Sequence, residues 1–318
     1  MKSMVVIYDS DDWDKSIPLA DAPETRVSFE EFYLSASLKG WQVYRSSTSW
    51  FDSERFCFTK GWTFSESGWE KVESPIVPDA IFDKVAGKRD YDLFGLKMRI
   101  ADRIPVINSP LFRTAFDNKL SQYLAFDEFM PVSYLAENAG QLSAALDAIR
   151  SKTAVVKQIY GSGGKEVFIG TKKEITEGLS LSFPVLVQQF IETAGIPGFS
   201  DQGEVADLRL VYVGKELMYA LSRIAKPGSL FTNFHQGAVA KIVPLEKIPA
   251  ECLALTGKIR QKTDVFDRTN YSLDFMFDIK GKPFFIEMNT TPGFDLLRIV
   301  GTPDLKEAYF GSFLSLFD

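Results

Sequence analysis

Apolar runs and amphipathic stretches alternate along this chain with turn residues between them, at no fixed period and with no repeat or low-complexity segment. MVVIYDS, residues 4–10, has the continuous apolar character of a buried strand. SFEEFYLSASLKG follows with the spacing of an amphipathic helix that Gly40 stops, and WQVYR is the next strand. Alternation around RFCFTKGWTF, with the Lys60-Gly61 pair inside it, predicts a hairpin. PDAIFDK supplies a further short strand, and IPVINSP closes a first unit near Pro110.

A second unit opens with FRTAFDNKLSQYLAFDEF, helical in period throughout, for which NSP offers a start. The strand MPVSYLA, the helix AGQLSAALDAIRS, the strand AVVKQI, the loop YGSGGKEVFIG and the strand FPVLVQQFI complete it. Two hairpin patterns, DLRLVYVGKELMYALSRIA and YSLDFMFDIKGKPFFIEMN, dominate the remainder. The expected division is residues 1–110, 111–191 and 192–318. The fold class is α+β, or mixed α/β, because a uniform βαβ series would alternate more regularly.

The last hairpin carries an anomaly. If Lys280-Gly281 is a two-residue turn, Ile279 faces Lys282, and counting outward sets Asp274 opposite Glu287 in a non-hydrogen-bonded pair, where side chains come closest. Pro283 then falls at another such position, where its missing N–H costs the ladder nothing. Two carboxylates facing each other repel. Either they are solvated acids on an exposed sheet face, or a bound cation offsets the repulsion. Asn289 projects to the same face two residues beyond Glu287, and three oxygen donors without His or Cys suit Mg²⁺ or Mn²⁺. In the other hairpin, a two-residue turn at Gly214-Lys215 would face Arg223 away from Asp207 and Arg209 unless a bulge intervenes.

Composition narrows the classes of function. At 318 residues the chain is long for one core, and its 45% hydrophobic and 25% charged residues are ordinary for a soluble globular protein. A net charge of −6 without a basic stripe argues against nucleic-acid binding. No run approaches membrane length, and MKSMVVIYDS reads as a first strand rather than a signal peptide. Cys57 and Cys252 stand far apart in no metal-ligand spacing and fit a reducing, cytoplasmic setting. All five tryptophans, Trp13 through Trp69, lie in the first unit, where they serve either core packing or recognition of an amino-acid or peptide acceptor.

VVKQIYGSGGKEV sets Lys157 inside an apolar strand, with Gly161-Ser162-Gly163-Gly164 just beyond it. Glycines let backbone N–H groups approach phosphate oxygens, and a lysine supplies a point charge. A plain glycine-rich hairpin loop gives the same pattern, and the spacing matches neither a Walker A loop nor a dinucleotide fingerprint.

Taken with the third unit, this pattern resembles the ATP-grasp superfamily, and within it the RimK-like and glutathione synthetase-like ligases, from about Phe112 to Phe294. SRIAKPGSLFTNFHQGA is similar to that branch's R-x-A-K-x-G…S/T-N-x-H-x-G segment, and FIEMNTTPGF to its metal-binding E-x-N-x-x-P-G. The resemblance implies a three-unit architecture with the nucleotide held between central and C-terminal α+β units. It implies phosphate contacts from Lys119 and Lys157 and from the loop residues Ser162, Gly163, Thr232 and Asn233. Gln189, Phe190 and Ile191 would meet the adenine edge, and Asp207 the ribose hydroxyls. Asp274, Glu287 and Asn289 would hold Mg²⁺ (or Mn²⁺), and Arg223 would steady the transferred phosphoryl group or an acyl phosphate. Taken alone, Lys119 is a solvated lysine on a polar helix face.

The sequence also departs from the branch. Gln189 stands where a glutamate is usual, and Phe231 and Gln236 where arginines are. GIPGFSDQGE lengthens the link between the hinge and Asp207. The implied activity is an ATP-dependent joining of a carboxylate substrate to an amine acceptor, an amino acid or a peptide, through an acyl phosphate with release of ADP and phosphate. A nucleotide-binding module without turnover and a small-molecule kinase are the alternatives. His235, the only histidine, is either a base or a structural loop residue, and homo-oligomerisation is left open.

Overall fold

The computed structural model describes residues 1–161, 167–178, 180–200, 203–232 and 237–318. In the N-terminal part, β1 (Lys2–Tyr8) pairs in parallel with β2 (Trp41–Ser47) through the crossover helix α1 (Pro23–Leu38). Met4 to Ile7 are all buried, as a parallel strand covered on both faces requires of its apolar run. Helix α1 begins earlier than its amphipathic stretch, at Pro23, whose fixed φ suits the first helical position.

The Lys60-Gly61 hairpin does not form. Instead β3 (Phe51–Asp52) pairs with β4 (Cys57–Phe58), while β5 (Gly61–Ser65) pairs with β2 and with β6 (Gly68–Val72). Gly61 answers a close approach rather than a turn, since a Cβ there would lie 2.9 Å from the Arg45 carbonyl oxygen. With β7 (Ala80–Asp83) and β8 (Val106–Ile107) the sheet order is β6-β5-β2-β1-β7-β8, and α2 (Lys88–Asp92) and α3 (Phe94–Ala101) join the last two strands. Trp41, Trp50 and Trp62 are buried, and Trp13 packs edge to face on Trp50 and Trp62 at 5.3 and 5.6 Å. These tryptophans pack the first unit.

The stretch expected as one helix is two, α4 (Pro110–Phe116) and α5 (Lys119–Phe126). The Asn118 side chain accepts from the Ser121 N–H at 2.7 Å and so starts a new helix. That break puts Lys119 in the first turn of α5. A four-stranded sheet follows, of β9 (Ser133–Ala136), β10 (Thr153–Gln158), β11 (Val167–Thr171) and β12 (Val185–Gln189) in the order β11-β10-β12-β9. Helices α6 (Ala139–Ala148) and α7 (Lys172–Gly178) bury the face that carries Ala154, Val156, Val185 and Val187. Alternation therefore turns Lys157 and Gln188 to the other face.

The third sheet orders β13 (Ala206–Val213), β14 (Glu216–Ile224), β15 (Val239–Val243), β16 (Asn270–Phe277) and β17 (Pro283–Asn289) as β15-β14-β13-β16-β17. Helix α8 (Ala250–Thr263) packs on one face together with α4 and α5, around Cys252, Ile259, Phe112 and Phe126. Helices α9 (Asp295–Val300) and α10 (Pro303–Ser315) join the other face to α1 and the first sheet. Phe294, just past β17, centres that junction, with its ring 5.0 Å from Phe32 and 5.1 Å from Phe29. No helix among the described residues is long and apolar enough to cross a membrane.

Both hairpins depart from simple counting. In β13–β14, Val213 pairs with Glu216 as a Gly214-Lys215 turn demands, but the register then shifts so that Val211 pairs with Tyr219 and Asp207 with Arg223. Met218 is the extra residue, and this bulge brings Arg223 to Asp207. In β16–β17, Ile279 does not face Lys282. Asp278 donates its N–H to the Lys282 carbonyl at 3.0 Å and accepts from the Gly281 N–H at 2.8 Å, closing a three-residue loop in which Gly281 takes a φ of +83°. Phe277 then pairs with Pro283 and Phe275 with Phe285, until a shift next to Asp274 restores its pairing with Glu287. The added turn residue and the bulged Ile286 offset each other. The expected pair forms, by another route and as a hydrogen-bonded pair instead of the non-hydrogen-bonded one that counting gave, because neighbouring Met288 turns its N–H and carbonyl away from β16.

Candidate active site

A cleft lies between the four-stranded and five-stranded sheets. Lys119, Lys157, Gln189, Phe190, Ile191, Asp207, Arg223, Thr232, Asp274, Glu287 and Asn289 all line it, so the structure brings together eleven of the fourteen site residues expected from sequence. Ser162, Gly163 and Asn233 lie outside the described residues, as does His235.

The two lysines reach the cleft from different elements. Lys157, on β10, is only 6% exposed, and its Nζ donates to Gln188 Oε1 at 2.8 Å. Val155 pairs with Gln188 and Lys157 with Leu186, so Lys157 and Gln188 are diagonal neighbours on one sheet face. Gln188 Nε2 in turn donates to Ser133 Oγ at 3.0 Å, which fixes the amide's orientation. Burial pulls the Lys157 ammonium down to about 8; Glu287 and Asp274 oppose that fall, and the charge of Lys119 adds to it. Lys119 is 8% exposed, which removes the solvated-lysine alternative. Its backbone N–H donates to the Ile159 carbonyl at 3.0 Å, its Nζ donates to the Gly161 carbonyl at 2.7 Å, and Glu287 lies 3.8 Å away.

The floor of the cleft is a chain of buried charges. Arg223 donates through Nε and Nη2 to both Asp207 oxygens, at 2.9 and 2.6 Å, and through Nη2 to Asp274 Oδ2 at 2.7 Å. Arg209 takes Asp274 in a second fork, with both contacts at 2.7 Å. Burial raises the Asp274 carboxyl, but Arg209 and then Arg223 outweigh it and hold the group down at about 2. Burial dominates at Asp207, whose carboxyl stays raised in spite of Arg223.

Two expectations change here. The repulsion between Asp274 and Glu287 requires no bound cation, because Arg209 and Arg223 neutralise the first and Lys119 sits beside the second. Asp207 accepts from Arg223 on both oxygens and from Thr232 Oγ1 at 2.6 Å, which makes it the arginine's counter-ion, and we assign it no ribose contact. Arg209 and Gln188 were not singled out from sequence. Arg209 carries a readable signal, since it stands two residues after Asp207 and so on the same strand face.

The donor set next to this network suits a hard cation. Asp274, Glu287 and Asn289 offer two carboxylates and an amide oxygen, and among the described residues no cluster of three or more His, Cys, Asp or Glu competes with it. The guanidinium contacts leave Asp274 one free acceptor position, on Oδ1, and the Glu287 side chain is one-third exposed toward the cleft. Few protein ligands, all oxygen, fit Mg²⁺, which keeps part of its water shell and shares substrate phosphates. Val155, Ile169, Met276 and Ile286 give the cleft apolar walls beside the Gln189–Ile191 segment, as a planar base requires. The Gln189 N–H is already bonded to the Val132 carbonyl at 2.8 Å.

Residues 120–306 match the RimK-like ATP-grasp domain. A probable alpha-L-glutamate ligase of Mannheimia succiniciproducens is 28% identical over 206 residues, which cover 62% of this chain and 63% of that protein. The chain thus spans less than two-thirds of that relative's length. Among solved structures, D-alanyl-alanine synthetase A of Vibrio cholerae O1 superposes with a TM-score of 0.65 at 14% identity, over 100% of this chain and 99% of the other. The ATP-grasp ligase PsnB, complexed with a phosphomimetic variant of its minimal precursor, Mg and ADP, gives 0.63 at 14% identity, over 100% and 99%. At that identity the structural likeness is one of fold.

Proposed function

The chain belongs to the RimK-like ATP-grasp family, and on that premise we propose that it is an ATP-dependent carboxylate–amine ligase. The observation that carries this reading is the meeting of two buried lysines, two arginine–aspartate forks and a mixed acid–amide donor set in one cleft. Lys119 and Lys157 hold the nucleotide phosphates, and the segment Gln189–Ile191 borders the base. Mg²⁺, when bound by Asp274, Glu287 and Asn289, supplies charge neutralisation to the phosphate oxygens. Arg209 and Arg223, held rigid by their carboxylates, stabilise charge on the transferred group without reorganising.

The reaction runs in two steps. A substrate carboxylate oxygen attacks the γ-phosphorus, the bond to ADP breaks, and an acyl phosphate forms. An amine nitrogen then attacks the acyl carbon, loses a proton, and expels phosphate. The acceptor class is an amino acid or peptide, which the glutamate-ligase relative supports. Cys57 and Cys252, both buried and free, suit a reducing, cytoplasmic compartment.

Hydroxylamine tests this reading against its alternatives. Incubated with ATP, Mg²⁺ and a panel of amino acids and short peptides, starting with glutamate, the protein is expected to form a hydroxamate and ADP. A stable phosphoester without hydroxamate would make it a kinase, and AMP would rule out an acyl phosphate. No consumption of ATP across the panel would favour the binding module.

A further inference from the structure

Strand β17 is the edge of its sheet, so one side of its backbone has no strand to pair with. At Met288, between Glu287 and Asn289, that side is met by a side chain from α5. The Gln122 amide oxygen accepts from the Met288 N–H at 2.7 Å, and its Nε2 donates to the Met288 carbonyl at 2.8 Å. Nε2 also donates to the Phe116 carbonyl at 2.8 Å, which steadies the amide from α4. A single buried side chain, 2% exposed, thus reproduces the two bonds that a neighbouring strand would make.

The place of this clamp gives it meaning. The Met288 side chain lies in the apolar cluster beneath the sheet, so alternation sends Glu287 and Asn289 to the cleft face. Gln122 stands one helical turn after Lys119, and the start of that helix is tied to Ile159, the residue just past β10, whose carbonyl accepts from the Lys119 N–H at 3.0 Å. One short helix therefore spans from the glycine-loop strand to the strand carrying two of the three metal donors. We propose that Gln122 is a positioning residue: it fixes the metal-bearing strand relative to Lys119, so that its loss weakens the Mg²⁺-dependent part of nucleotide binding. This inference rests on the reading above only in taking Asp274, Glu287 and Asn289 as the Mg²⁺ site.

The test is binding of a non-hydrolysable ATP analogue to the full chain, by calorimetry, first in EDTA and then across a Mg²⁺ titration. In Gln122→Met the half-saturating Mg²⁺ concentration is expected to rise about 10- to 100-fold, the range for losing a group that orients a metal ligand. Metal-free affinity should stay at the wild-type value, since α5 is anchored independently at Ile159, just past β10. Gln122→Asn, which keeps the amide but withdraws it by one methylene, should shift in the same direction and decides alone if the methionine variant does not fold. A wild-type Mg²⁺ midpoint in either folded variant, or a parallel loss of metal-free affinity, overturns the positioning role. If wild type itself shows nucleotide binding without Mg²⁺ dependence, the metal assignment falls as well, and the two failures are told apart.

Discussion

Replacing Arg223 with alanine is expected to cost about 3–5 kcal/mol of stability, the range for breaking a buried ion pair. The guanidinium contacts Asp207 and Asp274, each 4% exposed, and its removal leaves Asp207, among the described residues, with the Thr232 hydroxyl alone to meet its charge. The sign of the pH dependence follows from the carboxylates. In wild type, the depressed Asp274 stabilises the fold above its unfolded pKa, and that contribution is lost as pH falls toward about 2. In the variant, protonation of Asp207 relieves an unpaired charge, so the gap from wild type should narrow as pH is lowered from about 7 toward about 4. Denaturant unfolding at several pH values reads this directly, and an unchanged midpoint at neutral pH would contradict the network. The ligation rate should fall about 10²–10³-fold, by analogy with losing one preorganised donor to a developing oxyanion. A normal rate in the folded variant would leave Arg223 a structural residue only.

Lys157→Met should weaken ATP binding by about 1.5–3 kcal/mol, the span of a charge-assisted hydrogen bond, which corresponds to roughly 10- to 150-fold in affinity. The wild-type pH profile separates the charge from the packing. With its ammonium lowered to about 8, free Lys157 is cationic below that value and neutral above it, while bound phosphates favour the cation. Affinity should therefore be level below about pH 8 and decline as pH rises through it, by up to about tenfold per unit. The methionine variant should lack that decline. Equal profiles in the two proteins would mean that Lys157 does not meet the phosphates. The same variant should change stability little, since removal of a desolvated charge is offset by the buried Gln188 amide oxygen that loses its donor.

Local signals were legible in the sequence, and long-range ones were not. The Asp274–Glu287 pair and Lys157 could be placed because strand alternation is a short-range rule and their hairpins, β16–β17 and β10–β11, join strands nearly contiguous in sequence. Counting still misjudged the turn itself: nothing in Ile279-Lys280-Gly281 announces a three-residue loop, and Ile286 does not look like a bulge. The right pair emerged because the two shifts cancel. The Arg223 register likewise needed Met218 to bulge, which counting could only pose as a condition. Gly61 was misread as a turn glycine because the strand it approaches, β2, is distant in sequence. The Arg209–Asp274 fork and the Gln122 clamp escaped for the same reason, as each partner comes from another element. Asn118 was the exception, a helix cap sitting in plain view inside a stretch read as continuous.

The central claim is that one cleft makes an acyl phosphate from ATP and a carboxylate. It is tested most directly by labelling both carboxylate oxygens of an accepted substrate with a heavy oxygen isotope. If that carboxylate attacks the γ-phosphorus, turnover with ATP, Mg²⁺ and the amine acceptor transfers one labelled oxygen to the released phosphate, and the nucleotide product is ADP. Unlabelled phosphate accompanied by a formed amide, or release of AMP, would contradict the account.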